Sequence, residues 1–432
     1  MRISELYLKN FRNVVDQRFY FPTNFTVIIG INGRGKSTIL HALRVVCGTY
    51  FLAIPDVKSR HIASDEIRMV DNQRYLSPQT PVIVEAKGSF RDFGTEPVVW
   101  RRRILTSSSG NTSSNADVGL VRDLGKQKYE IMVAGGEHAD HLDLPVIAFF
   151  GTSRVHGAAR QRADRGRGRR IFVEGYRDWF EMRSTTYLYE SWLSTFDVFA
   201  RQGREYVETR EVFFETIRNA NPRYLKEIEV VDGKLWVKVE MEGYESPLLP
   251  LSLHSDGIIT YTEMVAEIAC RCIILNGFRR FEAVKESKGI VLIDEIDLHL
   301  HPSWQRHVVD DLKHAFPNIQ FVATTHSPLI VQSLERAELL NLDENAVLSD
   351  SPENLPLNKV VTEIMGVQGI RSDSYEERHS EAKERLSALS LRNGGLTISD
   401  YEEMSRLLGG ILQEETNDPT FRAYLEESEN SD

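Results

Sequence analysis

The nine residues Gly30–Thr38, GINGRGKST, decide the fold that this sequence predicts. They match the pattern G-x-x-x-x-G-K-[ST] at every fixed position, between the apolar run FTVIIG and the helix-periodic segment KSTILHALRVVCGTYFLA. A strand before the pattern and a helix after it are the context that a phosphate-binding P-loop requires. A glycine-rich turn with a chance lysine is the alternative, and the two flanking elements argue against it.

The residues of the predicted P-loop have separate roles. Its glycines let backbone N–H groups wrap the phosphates of ATP, and the start of the helix adds the positive end of its dipole. Lys36 is expected to neutralise the β- and γ-phosphates, and the hydroxyl of Ser37 to ligate Mg²⁺. ATP and Mg²⁺ are therefore the predicted cofactors. The predicted nucleotide-binding residues of the loop are Asn32, Gly33, Gly35, Lys36, Ser37 and Thr38.

A second apolar run, in the stretch GIVLIDEIDLHLHP, ends in adjacent carboxylates, Asp294 and Glu295. Charges at the end of a buried strand are costly unless they are paired, solvated or bound to a metal. Asp294 is predicted to hold the Mg²⁺ of a P-loop site through water. Glu295 is predicted to act as the general base that polarises the attacking water. Asp297, two residues further on, is interpreted as a loop or interface residue.

Histidines follow two of the buried runs. The segment QFVATTHSP places His326 after an apolar run, where its side chain could contact the γ-phosphate and sense whether it is present. A histidine at a strand end is more often structural, but the order of P-loop, Asp-Glu strand and Thr-His strand favours the sensor role. His299 and His301 lack the i, i+4 spacing of a paired metal site and are interpreted as supporting or structural residues.

Composition limits the class of protein. The 432 residues are 41% hydrophobic with 9% aromatics, which is enough for a core, and contain neither an eighteen-residue apolar run nor a signal-peptide pattern at the N-terminus. A cytoplasmic protein without a membrane partner is the expectation. Cys47, Cys270 and Cys272 follow neither a zinc nor a disulfide spacing and are predicted to be reduced core residues.

Charge is distributed unevenly along the chain. Residues 371–432 contain fifteen acidic and seven basic residues, a net charge of −8 out of the total of −11. This acidic, helix-periodic segment is predicted to be either a solvated helical hairpin or a docking platform for a partner. In contrast, Arg154–Arg170 contains seven arginines and one aspartate. Contact with a DNA backbone and pairing with acidic surfaces of a neighbouring subunit both remain open for this arginine-rich loop.

The alternation of buried strands and helices, with the polar residues at strand ends, indicates an open α/β sheet that binds its ligand at the carboxyl edge. A head is predicted over residues 1–370, followed by the acidic extension 371–432. Within the head we expect a P-loop lobe over 1–150 and 285–345, and an arginine-rich loop with a helical insertion over about 154–225. A flanking antiparallel β lobe, with strands in 82–105, completes the predicted architecture.

These motifs, in this order, resemble the ABC-type ATPases, and LYLKNFRNV before the P-loop is similar to the opening strand of RecF-like heads. The resemblance implies that two heads sandwich ATP, with the Leu-Ser-x-Gly signature of one capping the γ-phosphate of the other. The matching segment here lies within residues 251–276, where Ser255 and Gly257 begin a helix. His254 replaces the usual leucine, and Ile258-Ile259 stand where a polar or basic pair is common.

A finer resemblance, which covers nearly the full chain, is to the ATPase subunits of Septu anti-phage systems, the PtuA family. It implies a soluble ATPase that forms a dimer or higher oligomer and works with a separately encoded HNH-type nuclease (PtuB-like) on DNA. After TTHSP about a hundred residues remain, without the Toprim pattern of the OLD relatives, so no intrinsic nuclease is expected. A RecF-like DNA-repair ATPase is the alternative, and the atypical signature disfavours a transporter. The resemblance rests on the segments SDEIRM, VIVEAKGSF, LPVIAFFGTSR, LSLHSDG, VLIDEIDLHLHPSWQ and FVATTHSPLIV.

Overall fold

The computed structural model of the chain describes residues 1–72, 75–94, 96–112, 114–136, 138–152, 167–181, 186–202, 206–241, 243–343 and 350–367, and the single residues 377, 380, 381 and 384. The chain divides into two compact units, Met1–Val360 and Val361–Asp432. The helices predicted for the acidic extension lie outside the described residues, apart from those four positions. Within the described ranges, no helix combines the length and the apolar character needed to cross a membrane.

The strands of the described residues all belong to the first unit. They are β1 (Arg2–Phe11), β2 (Val14–Tyr20), β3 (Phe25–Ile29), β4 (Met69–Asp71), β5 (Leu76–Pro78), β6 (Val82–Ser89), β7 (Val98–Ile104), β8 (Val146–Phe150), β9 (Leu225–Val231), β10 (Lys234–Met241), β11 (Tyr244–Glu245), β12 (Leu249–Pro250), β13 (Gly289–Ile293), β14 (Ile319–Thr324) and β15 (Leu339–Asn341).

The described residues of the first unit contain ten α-helices. They are α1 (Lys36–Cys47), α2 (Asn115–Ala134), α3 (Arg167–Gly175), α4 (Thr186–Arg201), α5 (Glu208–Asn219), α6 (Asp256–Asn276), α7 (Pro302–Gln305), α8 (Val308–Ala315), α9 (Pro328–Gln332) and α10 (Leu357–Lys359).

The central sheet is parallel, with the strand order β15-β3-β14-β13-β8. Every residue of β3, β8, β13 and β14 is buried, as expected for continuous apolar runs covered on both faces. The strand that precedes the P-loop, β3, is separated from the Asp-Glu strand, β13, by the Thr-His strand, β14. The carboxyl ends of these three strands therefore meet at one edge, as the sequence predicts.

A separate antiparallel sheet, with the order β2-β1-β6-β7, forms the predicted flanking lobe. Gln320 of β14 joins this lobe to the central sheet. Its side-chain oxygen accepts from the backbone N–H of Ile3 at 2.8 Å, and its side-chain nitrogen donates to the carbonyl oxygen of Ile3 at 2.6 Å. The buried side chain of Gln320 thus satisfies both backbone hydrogen-bonding groups of Ile3, where the register between β1 and β6 shifts.

Helix α2 is not predicted by the sequence pattern, and its first residues fall in a polar stretch that reads as a loop. Two glycines, Gly119 and Gly125, lower its intrinsic helix propensity. The structure explains the second, since a Cβ at Gly125 would lie 2.1 Å from the carbonyl oxygen of Tyr50. The glycine lets α2 approach the 3₁₀ turn Gly48–Phe51 closely, and tertiary packing outweighs propensity here.

The helical insertion is confirmed for its described part, where α3, α4 and α5 precede the hairpin of β9 and β10. Asp232 and Gly233 form the hairpin turn with φ angles of 52° and 75°, the left-handed pair that an Asp-Gly turn favours. The three cysteines are free and buried, as predicted. Burial raises the pKa of the Cys47 and Cys272 thiols to about 12, which keeps both protonated.

Candidate active site

The P-loop connects β3 to α1 and takes the conformation that its glycines allow. Gly33 and Gly35 have φ angles of 87° and 105°, in the region that residues with a Cβ rarely adopt. Lys36, only 8% exposed, donates from Nζ to the carbonyl oxygen of Gly30 at 2.6 Å. Burial lowers the pKa of Lys36, and the nearby charges of Asp343, Asp294 and Glu295 oppose that shift. The ammonium group therefore lies inside the loop among carboxylates.

Asn13, between β1 and β2, fastens this loop from outside. Its side-chain nitrogen donates to the carbonyl oxygen of Gly33 at 2.9 Å, and its side-chain oxygen accepts from the hydroxyl of Thr38 at 3.0 Å. A Cβ at Gly35 would lie 3.2 Å from the same amide group. The sequence pattern does not identify Asn13 as a site residue, although the segment LYLKNFRNV that contains it carries part of the family resemblance.

Asp294 follows β13 and lies beside the start of α1. Its Oδ1 accepts from the hydroxyl of Thr324 at 2.6 Å and lies 3.4 Å from the hydroxyl of Ser37. The structure therefore brings together the two residues that the sequence predicts as metal ligands, 257 positions apart. Hydroxyl and carboxylate oxygens are the ligands that Mg²⁺ prefers, so the residues present fit this ion. They would hold it next to the P-loop lysine.

Glu295, the predicted general base, adopts a left-handed backbone conformation with φ of 50°. Its backbone N–H donates to the hydroxyl of Thr324 at 2.8 Å, and the N–H of Ile296 donates to the carbonyl oxygen of Thr324 at 2.9 Å. The carboxylate is only partly buried. Thr324 therefore contacts both the predicted metal-binding acid, Asp294, and the backbone of the predicted base.

His326, the predicted sensor, comes two residues after the end of β14. Its side chain is exposed, and its backbone N–H donates to Oδ1 of Asp297 at 3.3 Å. The same oxygen accepts from the hydroxyl of Thr325 at 2.6 Å. Asp297, interpreted from sequence as a loop or interface residue, is thus bound to the segment that bears the sensor.

A further carboxylate, Asp343, reaches the P-loop from the edge of the sheet. It follows the three-residue strand β15, which pairs with β3. Its Oδ2 accepts from the backbone N–H of Ile31 at 2.9 Å, and its Oδ1 lies 3.1 Å from Nε of Arg34. The sequence pattern reveals neither β15 nor Asp343, because three residues are too few to show an alternating pattern.

The signature segment lies at the start of α6. Ser255 is exposed and precedes the helix with extended backbone angles, whereas Gly257 is buried. A Cβ at Gly257 would lie 2.4 Å from the carbonyl oxygen of His299, so only glycine fits this contact without rearrangement. In the described part of the chain, no hydrogen bond joins Ser255 or Gly257 to the P-loop. Their predicted role requires a second copy and stays a prediction.

The segment SDEIRM contributes a buried ion cluster beside α1. Glu66 is fully buried and lies 2.7 Å from Nη2 of Arg60, 3.2 Å from Nδ1 of His41 and 3.5 Å from Nη2 of Arg12. Burial alone would raise the pKa of Glu66. The hydrogen bonds from His41 and from the N–H of Ala63, with the charges of Arg60 and Arg12, outweigh burial and lower it.

Most of the arginine-rich loop, residues 153–166, lies outside the described residues. The end of Arg154–Arg170 belongs to α3, which begins at Arg167. Arg170 is buried, lies 3.3 Å from the carboxylate of Glu174 and covers the ring of Phe199. This arginine stabilises the insertion and is not free to contact DNA.

Comparison with known proteins gives two profile matches. The AAA domain profile matches residues 5–216, which include the P-loop. A second AAA domain profile, whose description also names an AbiEii toxin and a Type IV TA system, matches residues 272–332, which include Asp294 and His326. The two profiles thus contain the P-loop and the ends of β13 and β14, whereas Ser255, Gly257 and Asp343 lie outside both matches.

Similar proteins include the "Retron Vc95 probable ATPase" of Vibrio cholerae serotype O1 biovar El Tor, 26% identical over 80% of this chain and 74% of that protein. The Septu protein PtuA of Bacillus mycoides (strain KBAB4) is 39% identical over 28% of this chain and 16% of its own length. The Septu protein PtuA of Bacillus thuringiensis is 36% identical over 24% of this chain and 28% of its own length. The chain therefore matches less than a third of either Septu protein. Among solved structures, the SMC head domain from Thermotoga maritima has a TM-score of 0.43 at 17% identity, covering 79% of this chain and 94% of that one.

The parallel sheet, the P-loop and the acidic strand end define the fold of a P-loop ATPase, and both matched profiles are those of AAA domains. Within that class, the chain is related to the Septu protein PtuA and to retron ATPases.

Proposed function

We propose that this chain binds and hydrolyses Mg²⁺-ATP as the ATPase subunit of an anti-phage defence complex of the Septu type. The observation that carries the ATPase part is the hydrogen-bonded group of Ser37, Asp294 and Thr324 beside Lys36. The defence role is supported by the similarity to Septu and retron proteins. The chain acts with a separately encoded HNH-type nuclease, whose action on DNA it controls.

The arrangement of these side chains supports a route for hydrolysis. Mg²⁺, when bound, neutralises phosphate charge, and Ser37 with Asp294 would hold it. Lys36 binds the β- and γ-phosphates, for which it exchanges its present contact with the Gly30 carbonyl oxygen. Glu295 accepts a proton from the attacking water, and His326 contacts the γ-phosphate. Buried neighbours exclude bulk water from Lys36 and Asp294, which strengthens these charge interactions.

The second half of the site is supplied by another copy of the chain. Ser255 is exposed at the beginning of the 21-residue helix α6, so its hydroxyl and the helix start are accessible to a nucleotide bound elsewhere. A dimer that closes on ATP would place this segment against the γ-phosphate of its partner. The departures at His254 and Ile258 favour slow turnover, in which ATP occupancy regulates the assembly.

The test is native mass determination of the protein expressed with its neighbouring genes, with and without ATP and Mg²⁺. We expect an assembly that contains a second, nuclease-bearing polypeptide, whose cleavage of DNA changes with ATP. A lone dimer that forms only with ATP and shows DNA-stimulated hydrolysis would instead identify a RecF-like repair ATPase. Absence of ATP binding at micromolar nucleotide would refute the site itself.

A further inference from the structure

Two neighbouring threonines at the end of β14 each donate to a carboxylate beyond β13. The hydroxyl of Thr324 donates to Asp294 at 2.6 Å, and the hydroxyl of Thr325 donates to Asp297 at 2.6 Å. Both threonines are 1% exposed, so neither bond competes with bulk water. Hydrogen bonds to charged acceptors are stronger than those between neutral groups. The first bond belongs to the metal-binding group, and the second has no role in the chemistry proposed so far.

The carboxylate of Asp297 also fixes the backbone at the sensor. Its Oδ1, besides the Thr325 bond, accepts from the backbone N–H of His326 at 3.3 Å. The opposite side of the same loop is held by Ser327, whose hydroxyl donates to Gln305 at 2.6 Å. Gln305 in turn donates to the carbonyl oxygen of Leu300 at 2.9 Å. The residues on both sides of the exposed His326 ring are thus bound to the segment that follows Glu295.

That segment begins in a strained conformation. Glu295 has a φ angle of 50°, a left-handed backbone conformation that is unfavourable for a residue with a Cβ and persists only where the surroundings hold it. Two bonds to Thr324 hold Glu295 and Ile296 on one side. Asp297, two residues after Glu295, provides the next attachment, and it is made to the sensor loop. Asp297 therefore adds a direct link between the backbone of His326 and the turn at Glu295, next to the bonds of Thr324 and Ser327.

We propose that Asp297 is a positioning residue, which sets the sensor His326 relative to the base Glu295 through its hydrogen bonds to Thr325 and the His326 N–H. The proposal rests on the roles of Glu295 and His326 proposed above. It requires an acceptor oxygen at position 297 and does not require a negative charge. It also requires a donor hydroxyl at position 325.

The test compares Asp297→Asn with Asp297→Ala, and Thr325→Ser with Thr325→Val. Asparagine and serine retain the acceptor and the donor, whereas alanine and valine remove them. For Asp297→Ala and Thr325→Val we expect kcat to fall about tenfold, with KM and the affinity for ATP unchanged within about twofold. For Asp297→Asn and Thr325→Ser we expect kcat to stay within about threefold of the wild type. Thermal unfolding of all four variants identifies any that fail to fold.

Hydrogen exchange supplies a readout that does not depend on hydrolysis. The amide of His326 should exchange about tenfold faster in Asp297→Ala than in Asp297→Asn, measured on the peptide containing residues 324–328. Equal loss of kcat in Asp297→Asn and Asp297→Ala would show that the charge matters and would overturn the proposal. Unchanged exchange in Asp297→Ala would overturn it as well. If the wild-type chain does not hydrolyse ATP, the proposed function fails. Hydrogen exchange at the His326 amide then remains the test of whether Asp297 positions this residue.

Discussion

The side-chain nitrogen of Asn13 donates to the carbonyl oxygen of Gly33, so a turn of the antiparallel lobe holds the middle of the P-loop. The amide oxygen of the same residue accepts from Thr38, at the other end of the loop. One planar side chain therefore spans the curve through which the phosphates would be bound. The shape of the P-loop depends on the antiparallel lobe as well as on its own glycines.

Replacement of Asn13 by alanine should weaken ATP binding about tenfold, because two neutral hydrogen bonds contribute about 0.5–1.5 kcal/mol each. Isothermal titration of the purified protein with ATP and Mg²⁺ measures this change. Asn318→Ala is a suitable control, since Asn318 donates to the carbonyl oxygen of Lys285 at the amino ends of the strands, away from the P-loop. Equal affinities of the Asn13 variant and the wild type for ATP would show that the P-loop keeps its shape without the hydrogen bonds of the Asn13 side chain.

Lys36→Ala and Glu295→Gln should separate binding from hydrolysis. Loss of the ammonium group removes the contact with the β- and γ-phosphates, so Lys36→Ala should show no measurable ATP binding at micromolar nucleotide. Glu295→Gln keeps the shape of the side chain but cannot accept a proton, so kcat should fall about 10²–10⁴-fold while ATP remains bound. Binding titrations and phosphate release under the same conditions measure both effects. Full ATP affinity in the lysine variant would contradict the site assignment.

Asp343→Asn should bind ATP about fivefold more tightly than the wild type. The asparagine keeps an oxygen that can accept from the Ile31 N–H but removes a negative charge near Lys36 and the phosphates. One charge several Å away in a partly exposed site is worth about 1 kcal/mol. Because salt screens this term, the gain should shrink at high ionic strength.

Asp343→Ala is the companion variant. It loses both the charge and the bond to the Ile31 N–H, so it should bind ATP less tightly than Asp343→Asn. Weaker binding by the asparagine variant than by the wild type would show that the carboxylate supports the loop by its charge, through Arg34.

Glu66 should make stability depend on pH at the acid end. Its pKa is below the ordinary value of 4.5 in the folded chain, so its contribution is present above about pH 4.5 and is lost as the pH falls through the lower, folded value. Glu66→Gln should therefore reduce the free energy of unfolding by about 3 kcal/mol at pH 7. The difference from the wild type should shrink below pH 4.5. Urea unfolding at a series of pH values measures both curves, and parallel curves would count against this role.

The signature segment offers a pair of variants with opposite expectations. Gly257→Ala forces a Cβ towards the carbonyl oxygen of His299, so it should destabilise the fold by about 1–3 kcal/mol. Ser255→Ala changes an exposed side chain and should leave the melting temperature unchanged. If Ser255 contacts ATP across a dimer, the same variant should lower kcat and weaken ATP-dependent dimerisation. If Ser255→Ala hydrolyses ATP and dimerises like the wild type, Ser255 does not contact the nucleotide.

The sequence predicts the centre of this fold because burial on both faces imposes an unbroken apolar run. The runs that end at Ile29, Ile293 and Thr324 are of this kind, and their order along the chain matches a known arrangement of strand ends. The glycines of the P-loop indicate its backbone geometry directly. The amino-acid pattern alone therefore places the site residues that come directly after these strands at one edge of the sheet.

Asn13 and Asp343 could not be found in this way. Each acts through hydrogen bonds to a backbone group 20 or 312 positions away, and no spacing in the sequence specifies such a partner. The link from Asp297 to Thr325 is hidden for the same reason, although both residues lie in segments with recognisable motifs. Helix α2 could not be predicted because its two glycines lower its helix propensity. One of them, Gly125, permits close approach to Tyr50, and only the packed structure shows that approach.

The order of strands in the central sheet also determines when the protein can acquire its ATP site during synthesis. The P-loop strand β3 ends at Ile29, but its two neighbours begin only at Ile319 and Leu339. The P-loop therefore leaves the ribosome long before either neighbouring strand exists, and long-range pairing of this kind is slow to form. A nascent chain that ends before Asp294 carries the complete P-loop sequence but lacks Asp294, His326 and Asp343. The candidate nucleotide site therefore forms only after the strands β13, β14 and β15 have been synthesised.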